Sequence, residues 1–462
     1  MRKFWAALAV TAALVAAPVA RAETLADALI AAYKNSNLLD QNQAVLRAAD
    51  EDAAVAVAKL RPVIDFTLRG SWIKYDNEAP NGFRGLTKPF YSTDDSSAEL
   101  TASVLIYAGG RGLLGIELAK EAVLATRAGL VNVEQQVLLD AVSAYVDVRL
   151  QAEIVALRES NVRLINQELR AAKDRFDVGE VTLTDVSLAE ARLAAARSGL
   201  AAGQGNLKVA RERYKAATGN YPGNLAALPK LPKTAKSMED ARAVAVRSHP
   251  AVIQSQHEAR IADLRVQIAK GSFLPTVNGQ VKITDNLTTG SGNTTFGVAA
   301  VQTLYQGGEL SALYRQSLAR KEASAAGLHQ TVVTVSENIG RAWSNLEVAG
   351  ASIEAGSLQV TAAQKAFDGV REEATLGART TLDVLNAEQE LLSARATKLQ
   401  AEASRYVGVY QLLSVMGLLT AEQLKLGIPT FDPEAYYDAV KNAPATSTRG
   451  KKLDKILEKI AN

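Results

Sequence analysis

The chain has 462 residues, with 52 Lys and Arg against 49 Asp and Glu, and no cysteine. A balance this close to neutral gives no electrostatic reason to expect a nucleic-acid partner. Without Cys there are no disulfides, so stability rests on packing or assembly.

Residues 1–22 read as a signal peptide. Arg2 and Lys3 form a basic start, Phe4 to Val15 is apolar apart from a small Thr, and Ala20-Arg21-Ala22 is a small-x-small cleavage site. The mature chain is expected to start at Glu23. Loss of Arg2, Lys3 and Arg21 leaves 49 bases (52 − 3) against 49 acids. The residue after the cleavage site is not Cys, so N-terminal acylation as a lipoprotein is not expected. No later stretch reaches the roughly 18 apolar residues of a spanning helix, so any membrane crossing is made by strands.

A first structural repeat is expected over residues 23–230. It opens with helix from Thr24 to Leu60. A β-hairpin follows at about 62–107. There Ile64, Phe66, Leu68 and Trp72 alternate with polar residues, as do Ala98, Leu100, Ala102, Val104 and Ile106. The segment from Asp76 to Ser97 reads as a polar loop. Residues about 110–178 hold no proline and predict a helical rod about 100 Å long. A second helix, about 182–218, carries a heptad of Val186, Leu193, Leu200, Leu207 and Tyr214. Small residues, Ala189, Ala196, Gly203, Ala210 and Ala217, follow each by three. That spacing predicts close coiled-coil packing.

The pattern then repeats over residues 231–428. Tyr107-Ala-Gly109-Gly110 returns as Tyr305-Gln-Gly307-Gly308, an offset of 198 residues (305 − 107). Gly179 and Asp185 return as Gly377 and Asp383, and Gly219 as Gly417, at the same offset. The second repeat predicts a helix, a hairpin at about 275–305, a long helix at about 308–376 and a helix at about 380–416. Asn286 to Asn293 reads as loop, and Phe296 and Val298 as the start of a shorter strand. The tail, residues 429–462, reads as irregular from Pro429 to Tyr437, then as a linker. A short lysine-rich helix with Leu453, Ile456, Leu457 and Ile460 on one face ends the chain.

Four strands cannot close a barrel, and in lipid only helices and closed barrels satisfy the backbone. Membrane strands here would have to be pooled, and three chains would supply twelve. The glycines at Tyr107-Ala-Gly109-Gly110 and Tyr305-Gln-Gly307-Gly308 suit a strand-to-helix junction, and the tyrosines suit a membrane interface. Catalysis is not expected: three histidines stand alone, no nucleophile or phosphate-loop motif is present, and no cofactor or metal set is legible.

The chain resembles the TolC-like outer-membrane efflux family. The resemblance rests on residues 177–186, on Gly219-Asn220-Tyr221-Pro222, on residues 304–308 and on residues 376–385, and extends over the mature chain to about Gly417. It implies an α+β membrane protein. In this architecture, long coiled-coil helices form a trimeric periplasmic α-barrel. Two β-hairpins per chain contribute to a 12-stranded outer-membrane β-barrel in lipid. It further implies a homotrimer serving as exit duct for an inner-membrane ABC or other transporter and a periplasmic adaptor. The cargo would be secreted protein or small toxic molecules, with the missing lipoprotein Cys leaning towards type I secretion. The alternative is a periplasmic coiled-coil adaptor or structural protein.

By the same resemblance, the turns at Gly179 and Gly377 lie at a constricted periplasmic entrance. Asp185 and Arg379 map onto a gate contact, Asp383 onto an acidic pore ring, and Asn386 onto a second ring position that is acidic in the family. A gate tyrosine of the family falls at Ala374. Thr182-x-x-Asp185 and Thr380-x-x-Asp383 equally suit helix capping boxes, which leaves Arg379, whose counterpart is Val181, without a capping role.

Overall fold

The computed structural model describes residues 22–75, 91–441 and Lys455, with the side chains of 73–75 and 91–94 excepted. The expected signal peptide up to residue 21, most of the first hairpin loop and the apolar face of the lysine-rich tail lie outside the described residues.

The described chain forms two compact units. One comprises the described part of residues 1–42 with 130–252 and 332–430; the other holds residues 43–129, 253–331 and 431 onward.

The first unit is helical. It contains α1 (Leu25–Asn35), α4 (Leu183–Thr218), α5 (Met238–Ser248) and α8 (Thr381–Val415), with the C-terminal parts of α3 (Arg111–Asp177) and α7 (Glu309–Thr375). Both long helices have 67 residues. The heptad seam of α4 is buried at Val186, Ala189, Leu193, Gly203, Ala210 and Tyr214. Its main core packs Leu25, Leu29, Leu138, Tyr145, Tyr214 and Leu413 together. Each such side chain contributes on the order of 2 kcal/mol by leaving water.

The second unit holds the sheet. β1 (Val63–Tyr75), β2 (Tyr91–Ala108), β3 (Thr276–Asn286) and β4 (Ser291–Val301) form one antiparallel sheet in the order β1-β2-β3-β4. Register aligns Ile64, Ala102, Val281 and Phe296 in one row across all four strands. The next row on that face begins Phe66, Leu100 and Ile283. The opposite face carries Asp65, Thr101, Lys282 and Thr295, and Lys282 pairs with Glu99 at 2.6 Å. The apolar face is open: Phe66, Phe296 and Val298 are each more than 70% exposed. Below the sheet, Glu117–Arg260 at 2.9 Å, Glu121–His257 at 2.7 Å and Asp263–Lys321 at 2.6 Å tie α3, α6 (Pro250–Gly271) and α7 together. Among the described residues no helix is long and apolar enough to cross a membrane.

Four local readings of the sequence are corrected. Residues 91–97, expected to belong to the polar loop from Asp76 to Ser97, open β2 instead and pair with β1. The rod expected from Thr24 to Leu60 is broken at Ser36 into α1 and α2 (Asn37–Ala58). Ser36 leaves helical geometry (φ −80°, ψ 104°), its hydroxyl accepts from Leu39 N–H, and Asn35 turns to donate to Thr218 C=O at 2.7 Å. β4 begins at Ser291, because Asn286 accepts from the Thr288 and Thr289 amides and Gly290 takes φ +67°, so the turn is tight. The stretch read as irregular after Pro429 contains α9 (Pro433–Val440), started by the Asp432 cap and a proline in its first turn.

Candidate entrance site

Each long helix ends in the same way. After α3, Gly179 adopts φ +80° and its N–H reaches Phe176 C=O at 2.9 Å; after α7, Gly377 adopts φ +78°. A left-handed residue there is cheap only for glycine. Three residues on, a capping box opens the next helix. Asp185 Oδ2 accepts from the Thr182 amide at 3.0 Å and the Thr182 hydroxyl at 2.7 Å. Asp383 repeats this with Thr380 at 3.0 and 2.9 Å. These bonds, helped by the Arg379 charge, hold the Asp383 carboxyl below the usual carboxylate range.

Within the chain Arg379 does not engage Asp185. Its Nε donates to Glu373 Oε2 at 2.8 Å, inside its own turn. Asn386 accepts from Arg192 Nη2 of α4 at 2.9 Å. Ala374 is buried, and its carbonyl accepts from Arg175 Nη1 of α3 at 3.2 Å. Two further bonds join the α3/α4 pair to the α7/α8 pair: Arg371–Glu168 at 3.3 Å and Asn161–Glu388 at 2.6 Å. Neither a motif nor the family resemblance singles out Arg192, Arg175, Glu168 or Glu388. Their charged spacing matches any solvated helix face, and only Glu388, an acid on the buried stripe with Val384, Leu385 and Leu391, left a signal.

At the strand-to-helix junctions Gly109, Gly110, Gly307 and Gly308 have φ of +62°, +77°, +56° and +86°. Arg111 fastens the first junction, donating to Ala108 C=O at 2.9 Å and Thr276 Oγ1 at 2.6 Å. Tyr107 is 44% exposed and Tyr305 88%. Among the described residues no cluster of three or more His, Asp or Glu side chains could hold a metal.

Paired long helices and a four-stranded antiparallel sheet whose apolar face is uncovered define the fold class, an α+β chain. The chain matches the model of the outer membrane efflux protein family over residues 29–220 and 243–418. It is 35% identical to the outer membrane efflux protein BepC of Brucella suis, over 95% of this chain and 94% of that one. It is 24% identical to the outer membrane protein TolC of Escherichia coli, over 82% and 80%. Its fold matches the Campylobacter jejuni CmeC outer membrane channel with a TM-score of 0.76 at 16% identity, covering 90% of this chain and 89% of that one. The chain belongs to the outer membrane efflux protein family. It is an outer-membrane exit channel that extends into the periplasm.

Proposed function

We propose that the protein works as a homotrimeric passive duct, without catalysis. It would receive cargo from an inner-membrane ABC or other transporter through a periplasmic adaptor, and its main task would be type I protein secretion. The observation that carries the trimer is the sheet. Among the described residues it has four strands, with outer edges on β1 and β4 that no further strand pairs and that in lipid must be paired. Three copies supply twelve strands. Secretion is supported by similarity to the alkaline protease secretion protein AprF of Pseudomonas aeruginosa, 24% identical over 64% of this chain. It is also supported by the proteases secretion protein PrtF of Dickeya chrysanthemi, 24% identical over 77%.

In this reading the two capped turns form the periplasmic entrance. Asp383 contributes a threefold ring of charge, Asn386 a neutral ring beside it, and Arg379 with Asp185 a contact that helps keep the opening narrow. The test is deletion of the gene, followed by measurement of proteins released to the medium and of sensitivity to detergents and dyes. Loss of one or a few secreted proteins supports type I secretion. Sensitization with unchanged secretion makes small-molecule efflux the main task.

A further inference from the structure

Glu388 lies on α8 with only 3% of its surface exposed. One carboxylate oxygen accepts from Asn161 Nδ2 on α3 at 2.6 Å. The other has no hydrogen-bond partner among the described residues. It borders a cavity of about 190 Å³ between α3, α4 and α8, whose polar walls include Arg158, Asn161, Arg192 and Gln389.

Burial and the Glu168 charge push the Glu388 carboxyl up by more than Arg371 pulls it down. Arg371 of α7 is paired with Glu168 of α3 at 3.3 Å. Arg192 of α4 donates to Asn386, and Arg158 of α3 packs along Gly199 and Gly203 of α4. Glu168 itself faces Glu388 with like charge. An ionised carboxylate in this place is buried, half-bonded and repelled. A neutral carboxyl gains a donor and keeps an acceptor for Asn161.

We propose that Glu388 is a proton-operated lock between the α3/α4 and α7/α8 helix pairs: its neutral form holds α8 against α3, and ionisation loosens that seam. Its consequence for conduction rests on the exit-duct reading. Burial first, and the Glu168 charge second, push the carboxyl up to about 7 from its ordinary 4.5. Where the seam opens and water enters, Glu388 returns towards 4.5. Below 4.5 both states are neutral and the lock holds. As pH rises from 4.5 to about 7 the opened state ionises first, so the closed seam loses ground; above about 7 the loss is complete.

The experiment uses the full mature protein in planar lipid bilayers between pH 4.5 and 8, wild type beside Glu388→Gln. Wild type is expected to open about fivefold or more as often at pH 8 as at pH 4.5, with most of that rise absent in the variant. Glu168→Gln, which removes the neighbouring negative charge, should move the wild-type midpoint to lower pH. Identical profiles in wild type and Glu388→Gln overturn the lock. Hydrogen exchange over residues 383–395, compared with 401–412 of the same helix and corrected for intrinsic rates, reports the seam without conduction. Protection that falls with pH in wild type but not in Glu388→Gln supports the lock; equal profiles again overturn it. An exchange difference with no channels from any variant would keep the lock and sink the duct.

Discussion

Tyr214 of α4 donates its hydroxyl hydrogen to the carboxylate of Glu23, which also accepts from the Gly223 amide at 3.1 Å. The Glu23 backbone is paired as well: its amide donates to Asn224 C=O at 2.8 Å, and its carbonyl accepts from Ala226 N–H at 2.8 Å. Tyr145, stacked at a tilt against Tyr214, donates to the Glu23 and Ala226 carbonyls. A residue ahead of the first helix is thus tied to α3, to α4 and to the segment after α4. Tyr214→Phe is expected to cost roughly 1–2 kcal/mol, since it leaves a charged acceptor short of a donor. Hydrogen exchange over residues 23–35 should show the loss locally; unchanged protection there would contradict it.

The two strand-to-helix junctions share glycines but not surroundings. A Cβ on Gly109 would strike the Gly271 carbonyl oxygen and come within 2.9 Å of Leu274 Cβ, while one on Gly307 would meet nothing within 4 Å. Both substitutions carry the left-handed backbone penalty of about 1 kcal/mol. Gly109→Ala adds a backbone clash and should reduce assembly in the outer membrane far more than Gly307→Ala. Equal yields of heat-stable oligomer from the two variants would refute the asymmetry.

Asp50 of α2 is 1% exposed, with neither carboxylate oxygen hydrogen-bonded among the described residues. Burial pushes it up to about 6 from its ordinary 3.8, against the pull of Arg127. Below pH 3.8 the acid is neutral folded or unfolded and costs nothing. Between 3.8 and about 6 the unfolded chain ionises first and folded stability falls; above 6 the cost is complete, roughly 2–3 kcal/mol at most. Asp50→Asn should therefore protect its surroundings at pH 7.5 and change little at pH 3.5. Local opening by hydrogen exchange in α2 at the two values is the check.

Arg379 and Glu373 are both half exposed, so Arg379→Ala should leave thermal stability nearly unchanged. Its expected effect is on conduction: larger or more frequent single-channel openings in bilayers. Glu373→Gln separates the intrachain pair from a contact with Asp185. If Glu373→Gln reproduces the Arg379→Ala currents, the pair within the turn is what matters.

Asn386 occupies a place next to the Asp383 cap and accepts from Arg192. Asn386→Asp adds one negative charge per chain, three in the proposed trimer. The reversal potential in a salt gradient should shift towards greater cation selectivity. No shift would remove Asn386 from the pore lining.

Most of the architecture was legible because it is periodic or local. The heptad of α4 follows a stripe set by helix geometry, and the seam residues Val186, Leu193 and Tyr214 are buried along it. The alternation in β1 and β2 sets the two faces of a sheet. The glycines after α3 and α7 and the Thr-Asp boxes that follow act within a few residues, so their geometry could be read directly. The break at Ser36 was less visible, because its cause includes Asn35 reaching Thr218, 183 residues away.

What the sequence by itself determined is local: the alternating faces of the strands, the two 67-residue helices, the glycine ends and the Thr-Asp caps, all governed by spacing along one chain. What only the tertiary structure decided is which charges meet between the helix pairs. Arg192 finds Asn386 across 194 residues and Asn161 finds Glu388 across 227. Those meetings depend on the rotation of each helix about its axis, set by the packing of many apolar side chains together. On α8 the exposed Glu390 faces water and Glu388, two residues earlier, faces the closed seam; the apolar stripe marks Glu388 as inward, but not which residue of α3 it meets.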